Sequence, residues 1–573
     1  MTPRVSATAL VRALAAAATR FAARDRREKL RLLDELGRRS IREPRALREL
    51  HETLCFLQAY PDDRHVLARA EQGLAGFPER VRRLGPAARR LHDSGIAGTR
   101  LDYPFGLAMA RWLVRRFPRD VDVLWGAFVQ TEQLQETLPL LVERAEEDAV
   151  SDEGGLGWQR WLRRAKGGRA LTDLQILIEL FDRSPLSEEA CDSLFESLAL
   201  PIGWRLEAPG ASRTLTRLPW PRPFFHGAAR PALIRPDERG FAREVTRPLP
   251  ALRRAPRPLA RALIEAARVA MASRLRELFA FSHANVDDVL VADPGRGLRI
   301  ALIGLSPRHR LPFHGYYAYL ALKNGVPVGY GGGWQLFGAL EVGVNVFESF
   351  RRGESAFIVA QVMRAYHQAL GMRTIVVDPY QIGHDNPEAL KSGAFYFYHH
   401  LGFRPRDPAV SRIARAEQDK IAAQPGYRSP LSVLRQLARS EVYLSLGGEE
   451  TEAERSLTAS RLAALVTDHV AQRCEGDRAG ARHHATSHVA RALAVPGWRR
   501  WPAGERRGFA QLALPISLIP DLDRWPSADR HRLVSVLRAK GGATEARYVR
   551  LLDAHARLRR SLEALVAATV PGA

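Results

Sequence analysis

An Asn-Gly pair at residues 324 and 325 constrains the fold more tightly than any other feature of this sequence. It separates two runs rich in aromatic and aliphatic residues, 316–322 and 326–334. A two-residue hairpin turn needs positive φ at its central positions, which Asn and Gly adopt at the lowest cost. The pattern therefore predicts an antiparallel β-hairpin.

Strands and helices alternate on both sides of this hairpin. Strand-like apolar runs occupy residues 289–293, 298–305, 339–347 and 373–377, and another begins at Phe403. Apolar residues at helical spacing predict helices at 259–278, 355–370 and 386–401. The second of these starts at Ser355, a suitable N-cap, and stops before Gly371. This order of elements predicts a domain with a mixed sheet and packed helices.

The length of 573 residues is too great for one hydrophobic core, so we expect several domains. Residues 208–258 are rich in Pro and Arg, which is typical of a linker. The expected fold class is an α+β multidomain protein with a central mixed sheet, flanked by all-helical N- and C-terminal regions. The expected divisions are a helical domain at 1–150, a mixed helical and linker region at 151–254, the sheet domain at 255–410 and a helical domain at 411–573.

A weak internal similarity appears in the first of these regions. Residues 60–67, YPDDRHVL, are similar to residues 117–124, FPRDVDVL, and each segment follows an apolar helical run. Two stacked helical hairpins, loosely similar to tetratricopeptide arrays, would produce this pattern. Two unrelated helix–turn–helix joints would produce it equally well, so both interpretations stay open.

The formal net charge of +23 comes almost entirely from arginine. Arginines are spread along the whole chain together with many Ala, Gly and Pro, which is typical of bacterial-like, GC-rich coding. A nucleic-acid surface would concentrate them beside stacking aromatics, and no stretch does so. We therefore expect no nucleic-acid partner, although a basic field still attracts anionic ligands.

The remaining features are typical of a cytoplasmic protein without a metal site. Three cysteines lie far apart and indicate no disulfide framework. Arg12 and Arg20 interrupt the apolar N-terminal run, so we expect no membrane span. His484 and His488 have helical ligand spacing but read as surface histidines, and the His51–Cys55 segment lacks the second histidine of a zinc-protease motif.

Two segments of the predicted sheet domain resemble the GNAT (N-acetyltransferase) superfamily. Residues 342–356, VGVNVFESFRRGESA, lead from a strand through a turn into a helix and resemble its cofactor-binding centre. Residues 394–403, AFYFYHHLGF, resemble its last helix and the ending that follows. The family usually carries Arg or Gln where this chain has Phe350. The resemblance covers about residues 255–410 and implies binding of acetyl-CoA or another acyl-CoA.

The physical basis of the first motif is a helix start that faces a turn. Unpaired backbone N–H groups at such a start carry partial positive charge and accept a pyrophosphate. Gly353 permits a close approach of phosphate, and arginines beside it add charge. The resemblance further implies a strand that splays from its neighbour, so that backbone N–H groups of Asn345 and Val346 polarise the thioester. The expected cofactor-binding residues are Asn345, Val346, Phe347, Arg351, Arg352, Gly353, Glu354, Ser355 and Ala356.

Two side chains are the candidate catalytic groups. Tyr398 lies five residues before Phe403, where the resemblance implies a tyrosine that protonates the departing thiolate, and Tyr396 is the weaker alternative. Glu341 on the central strand could remove a proton from the amine, directly or through water, and Glu348 is a second choice. His314, Asp378, His384 and Asp385 are weaker candidates for the acceptor side.

The resemblance implies a transferase that passes an acyl group directly to an amine, either a small molecule or a protein. Three alternatives stay open from the sequence: a non-catalytic acyl-CoA sensor or scaffold with the same fold, an aminoacyl-tRNA-dependent transferase, and a nucleic-acid-binding protein. The helical flanks could recruit protein partners in any of these cases. The acceptor and the acyl chain are not specified by the sequence.

Overall fold

The computed structural model describes residues 6–150, 155–227, 238–448 and 451–568. The fold is α+β, 56% helical, with a large mixed sheet flanked by helices. The chain divides into two compact units. Unit 1 contains Met1–Leu233, Ala262–His283 and Lys323–Pro327, and unit 2 contains Ile234–Arg261, Ala284–Leu322 and Val328–Ala573. No helix in the described parts of the chain combines the length and the apolar character that crossing a membrane requires.

The first part of the chain contains a series of helices and a small three-stranded sheet. Its helices are α1 (Ala7–Ala17), α2 (Ala23–Arg38), α3 (Pro44–Ala59), α4 (Arg64–Ala75), α5 (Phe77–Arg82), α6 (Leu107–Arg116), α7 (Thr131–Thr137), α8 (Glu147–Val150), α9 (Trp158–Ala165), α10 (Asp173–Arg183) and α11 (Glu188–Leu198). Short 3₁₀ helices lie at Gly85–Leu91, Trp125–Ala127, Leu138–Leu140 and Arg144–Glu146. Its strands are β1 (Arg100–Tyr103), β2 (Val121–Val123) and β3 (Ile202–Arg205).

The expectation of an all-helical N-terminal region is therefore wrong. The strands pair in the order β1-β3-β2, with β3 antiparallel to both neighbours. Trp204 on β3 is fully buried, and its ring lies 4.9 Å from that of Phe117. The sheet joins strands about 80 residues apart or more, and pairing at that distance leaves no local periodicity in so short a strand.

The similarity between residues 60–67 and 117–124 does not mark a structural repeat. Within the first segment Asp63 accepts hydrogen bonds from the backbone N–H groups of His65 and Val66, and this capping starts α4. Within the second segment the chain forms β2, where Val121 and Val123 are buried and pair with β3. The helical-repeat interpretation is therefore wrong. The first segment starts a capped helix, whereas the alternating valines of the second segment favour a strand.

We expect a pH-dependent stability of unit 1 that depends on Glu277. Its Oε1 accepts the backbone N–H of Gly106 at 2.7 Å, and burial, with a smaller contribution from Glu196, raises its pKa to about 7. The folded state then keeps a proton that the unfolded state releases near pH 4.5, so stability falls as pH rises between these values. Glu277→Gln keeps an acceptor for Gly106 and should stabilise the protein by about 1–2 kcal/mol at pH 8 but not at pH 4. Urea unfolding across this range measures the difference, and identical pH profiles for both proteins would contradict the expectation.

From residue 238 on, the chain supplies the strands of a second, larger sheet, together with further helices of both units. The strands are β4 (Leu252–Arg254), β5 (Ala284–Gly295), β6 (Leu298–Leu305), β7 (Gly315–Lys323), β8 (Val326–Leu336), β9 (Ala339–Val346), β10 (Thr374–Val377), β11 (Arg404–Pro405) and β12 (Val442–Ser445). The first helices are α12 (Glu238–Thr246), α13 (Arg257–Ala272), α14 (Phe279–Ser282), α15 (Ser355–Leu370), α16 (Pro379–Ile382), α17 (Pro387–Ser392), α18 (Ala394–His400), α19 (Pro408–Ala423) and α20 (Leu431–Leu437). They are followed by α21 (Glu452–Ser456), α22 (Ala459–Arg473), α23 (Arg478–Ala492), α24 (Ala503–Ser517), α25 (Ser527–Lys540), α26 (Glu545–Asp553) and α27 (Ala556–Ala567). Short 3₁₀ helices lie at Glu348–Phe350, Trp498–Arg500 and Leu522–Arg524.

The large sheet contains, within the described residues, nine strands in the order β11-β12-β10-β9-β8-β7-β6-β5-β4. The predicted hairpin is confirmed, because β7 and β8 are neighbours and both Asn324 and Gly325 have positive φ. β8 and β9 are antiparallel, whereas β9 and β10 are parallel and are joined by α15. α15 spans Ser355–Leu370 and ends before Gly371, as predicted, but its N-cap is Glu354. The expectation that Ser355 caps this helix is wrong, because its hydroxyl donates to the carbonyl of Arg351 at 3.1 Å and accepts no backbone N–H from the described residues.

Two further expectations for this region are wrong. The helix predicted at 386–401 is broken at Gly393, whose φ of 70° ends α17 and begins α18. The C-terminal region is not all-helical, since β12 pairs antiparallel with β10 and β11. The sheet thus extends beyond residue 410, and the helices that follow belong to the same compact unit. β12 spans four residues, which is too short for a periodic signal.

Candidate functional site

The pairing between the two parallel strands in the middle of the large sheet ends well before β9 does. β9 and β10 pair only as far as Glu341 and Val376. β10 ends at Val377, whereas β9 continues to Val346 along β8. Among the described residues, the last part of β9 therefore has no strand paired on the side that faces β10.

One hydrogen bond shows to which side the backbone N–H groups point at the end of β9. The N–H of Phe347 donates to the carbonyl of Val328 on β8 at 3.0 Å. Since successive residues of a strand direct their N–H groups to opposite sides, the N–H of Val346 points away from β8. It therefore faces the gap that the departure of β10 leaves.

The N–H of Asn345 has a different partner. It donates to the hydroxyl of Tyr319 at 3.2 Å. Tyr319 reaches this position because β8 carries glycine there: a Cβ on Gly331 would lie 2.6 Å from the Tyr319 ring. The glycine run 331–333 thus permits a close approach of tyrosine rings to β8, as expected for glycines in a strand.

A tight turn connects β9 to α15. Phe347 and Phe350 are both buried, and the short 3₁₀ helix Glu348–Phe350 lies between β9 and Gly353. The N–H of Gly353 donates to the carbonyl of Phe350 at 2.9 Å. The side chain of Phe350 packs into the core and does not line the turn.

The start of α15 has unsatisfied donors. Glu354 occupies the N-cap position, but its side chain makes no capping hydrogen bond. Within the described parts of the chain, the N–H groups of Ser355, Ala356 and Phe357 have no hydrogen-bond partner. They carry the partial positive charge of the helix start, so the turn can accept an anion.

The charged side chains of the turn divide into two groups. Arg351 donates from Nε to the carbonyl of Val346 at 3.1 Å and from Nη2 to Glu388 at 2.8 Å, and it stays partly exposed. Glu354 is buried and pairs with Arg296 at 2.6 Å. Arg351 is therefore placed to add charge at the turn, whereas the carboxylate of Glu354 is neutralised away from it.

A cleft opens between the free end of β9, the start of α15 and the helices α16–α18. We call it the β9 cleft, and it holds about 300 Å³. Its lining residues are Val344, Asn345, Val346, Arg351, Ser355, Val359, Gln381, Asn386, Glu388, Ala389, Ser392, Ala394, Phe397 and Tyr398. An elongated ligand with one anionic end fits the combination of an uncapped helix start and a free strand edge.

Tyr398 on α18 is buried and lines the β9 cleft. Its ring packs edge-on against Phe403 at 5.4 Å. Its hydroxyl has no hydrogen-bond partner in the parts of the chain that the structure describes. Burial raises the pKa of this phenol well above its ordinary value, so it stays protonated at neutral pH and can donate a proton.

Glu341 does not line the β9 cleft. It lies at a second pocket of unit 2, together with His314 and Trp334. Partial desolvation, followed by the charges of Asp378 and Glu441, raises the pKa of Glu341, although solvent screens this effect because the side chain is exposed. The structure thus places the two candidate catalytic side chains in different pockets.

The structure brings part of the predicted set together. Asn345, Val346, Arg351, Ser355 and Tyr398 line the β9 cleft. Phe347 and Glu354 are buried. Arg352 and Gly353 in the turn and Ala356 in the first turn of α15 do not line the cleft. Of the weaker candidates, His314 lines the second pocket, while His384 and Asp385 are exposed and close to each other.

Several lining residues were not predicted. Asn386 lies at the start of the helix predicted at 386–401, and its side chain accepts the N–H of Ala389 at 3.1 Å. Gln381 lies over β9, since a Cβ on Gly343 would be 3.3 Å from its amide nitrogen. The Asn-Pro signal could have suggested Asn386, whereas no local pattern indicates where Gln381 lies.

No family model, no curated protein and no solved structure matches this chain.

Proposed function

We propose that unit 2 is an acyl-CoA-dependent N-acyltransferase of the GNAT type, with the acyl-CoA in the β9 cleft. The observation that carries the proposal is that the pairing of β9 with β10 ends directly beside the uncapped start of α15. A nucleotide-linked thioester needs both features: donors for a pyrophosphate, and a free strand edge for an extended arm.

The pyrophosphate would bind at the turn. The free N–H groups of Ser355 and Ala356 supply hydrogen bonds, and Arg351 supplies charge. The thioester carbonyl would then lie along the end of β9, where the N–H of Val346 faces the gap. A fixed N–H directed at the developing oxyanion stabilises the transition state without reorganisation.

The chemistry is a direct transfer. The neutral amine attacks the thioester carbon, the C–S bond breaks, and coenzyme A leaves as a thiolate that takes a proton from Tyr398. The attacking nitrogen gives up one proton to solvent water, and Tyr398 regains a proton from water, so charge and atoms balance. Tyr398 suits the role of acid because its hydroxyl lies in the cleft without another partner.

Substitutions of Arg351 and Glu388 test the cofactor site, because we expect them to change the affinity for coenzyme A in opposite directions. Arg351→Ala should weaken coenzyme A binding about tenfold, because it removes a charge-assisted hydrogen bond to phosphate. Glu388→Gln releases Arg351 from its present partner and removes a nearby negative charge, so binding should strengthen by up to about fivefold. Isothermal titration with coenzyme A measures both, with Arg352→Ala as the control on the exposed neighbour. Equal affinities in all variants would contradict this site.

An acyl-CoA sensor without catalytic activity is the second candidate. It is favoured by the position of Glu341, which leaves the β9 cleft without a carboxylate other than Glu388 among the described residues. Thiol release from acetyl-CoA, followed with a thiol reagent and a panel of amines, separates the two candidates. An enzyme releases thiol in an amine-dependent way, whereas a sensor binds the thioester and leaves it intact.

A further inference from the structure

The second pocket of unit 2 is enclosed by parts of the chain far apart in sequence. We call it the Trp334 pocket, and it holds about 350 Å³. β8 and β9 supply Trp334 and Glu341, and the segment 454–460 with α27 supplies the opposite wall. The pocket therefore contains the candidate base, and residues beyond β12 complete it.

Glu341 differs from the other carboxylates that line this pocket. Glu441 is paired with Arg406 at 2.5 Å, and Glu454 and Glu563 are paired with Arg559 at 2.9 and 3.3 Å. Glu341 has no cationic or hydrogen-bonding partner among the described residues. The arginines that line the pocket include Arg373, Arg406 and Arg559, and each of these pairs with one of the other carboxylates. Glu341 is left near the negative charges of Asp378 and Glu441, so a cation bound beside it meets an unpaired carboxylate.

An aromatic side chain lies directly beside this carboxylate. Trp334 is the cross-strand partner of Glu341 in the β8–β9 register, so both project from the same face of the sheet. The Trp334 ring packs 5.2 Å from that of Tyr316 and stays partly exposed. Leu336 and Phe337 add apolar wall. A cation that carries an apolar group gains both an ion pair and aromatic contact here.

We infer that the Trp334 pocket binds the acceptor, a primary ammonium joined to an apolar group of about the size of a ring, with the ammonium on Glu341. That this amine is the acceptor of an acyl group rests on the proposed function. Binding of the amine to the pocket does not require coenzyme A. This assignment also gives a role to the C-terminal region, which forms one wall and thereby limits the size of the amine.

The experiment measures binding of 2-phenylethylamine to the full chain without coenzyme A, by calorimetry at pH 7. The neutral isostere 2-phenylethanol serves as the uncharged probe. Glu341→Gln should weaken the amine about tenfold and leave the alcohol unchanged, because the substitution removes a charge and keeps the shape. Glu563→Gln, a carboxylate of the same pocket that is already paired with Arg559, is the matched control and should change the amine affinity by less than about twofold. Trp334→Leu should weaken both probes.

Three results would overturn the inference: no binding of the amine to the wild-type chain at millimolar concentration, an unchanged amine affinity in Glu341→Gln, or an equal loss in Glu563→Gln. The proposed function fails separately, through the absence of coenzyme A binding in the β9 cleft. If the amine bound and coenzyme A did not, the Trp334 pocket would still be a site for cationic amines. It would then have no role as the acceptor site.

Discussion

Replacing Tyr398 by phenylalanine should lower kcat for acyl transfer by about 10²- to 10⁴-fold, the range that a positioned general acid contributes. Coenzyme A affinity and folding stability should hardly change, because the hydroxyl has no hydrogen-bond partner within the described residues and the ring is retained. Steady-state thiol release measures kcat, and calorimetry measures the affinity. Because burial raises the pKa of this phenol, the wild-type rate should show no loss from Tyr398 ionisation below about pH 10.

A matched control stands two residues away. Tyr396 lies on the same helix, but its hydroxyl hydrogen-bonds with Ser429 at 2.5 Å and does not line the β9 cleft. Tyr396→Phe should therefore leave kcat within about twofold of wild type. A full rate in Tyr398→Phe, or an equal loss in both variants, would remove Tyr398 from the reaction.

The second large effect concerns stability and involves Glu545 at the start of α26. This side chain is fully buried and accepts the N–H of Tyr316 at 2.6 Å. Its other oxygen lies 3.1 Å from Nε of Arg310, close enough to pair electrostatically but not aligned for a hydrogen bond, and 3.7 Å from Nζ of Lys540. Glu545→Ala removes a carboxylate that neutralises part of the charge of the buried cations Arg310 and Lys540. Asp288 then remains as the nearby anion. We expect a loss of about 3–5 kcal/mol in the free energy of unfolding.

Urea unfolding at pH 7 measures this loss, and an exposed ion pair provides the control. Arg524, with 79% of its side chain exposed, pairs with Asp521 at 3.4 Å. Arg524→Ala should change the free energy of unfolding by less than about 0.5 kcal/mol. An equally small loss of unfolding free energy in Glu545→Ala would show that the buried cluster does not hold α26 to the sheet.

Local signals account for the parts of the fold that the sequence predicted well. The turn at Asn324 and Gly325 and the start of α15 at Ser355 depend on residues within a few positions of each other, so their chemistry is visible in one window. β12 and the sheet of β1–β3 depend on distant partners and on strands of three or four residues. Such strands carry too few residues for any periodicity to appear.

The candidate site shows the same division between local and distant information. The turn, Arg351 and Tyr398 were predicted because the motif is contiguous or regularly spaced. The separate pocket around Glu341 could not be predicted, because the wall that closes it comes from residues more than 100 positions later. The hydrogen-bond partner of the Asn345 N–H could not be predicted either, because it is a tyrosine that passes beneath a glycine of the intervening strand.

Amide hydrogen exchange with and without coenzyme A tests the central claim most directly. The claim is that backbone N–H groups at the end of β9 and at the start of α15 hold the cofactor. Saturating coenzyme A should slow exchange in peptides that cover Val346 and residues 355–357, and should leave peptides from β1–β3 unchanged. Unchanged exchange at both places with millimolar coenzyme A present would contradict the account.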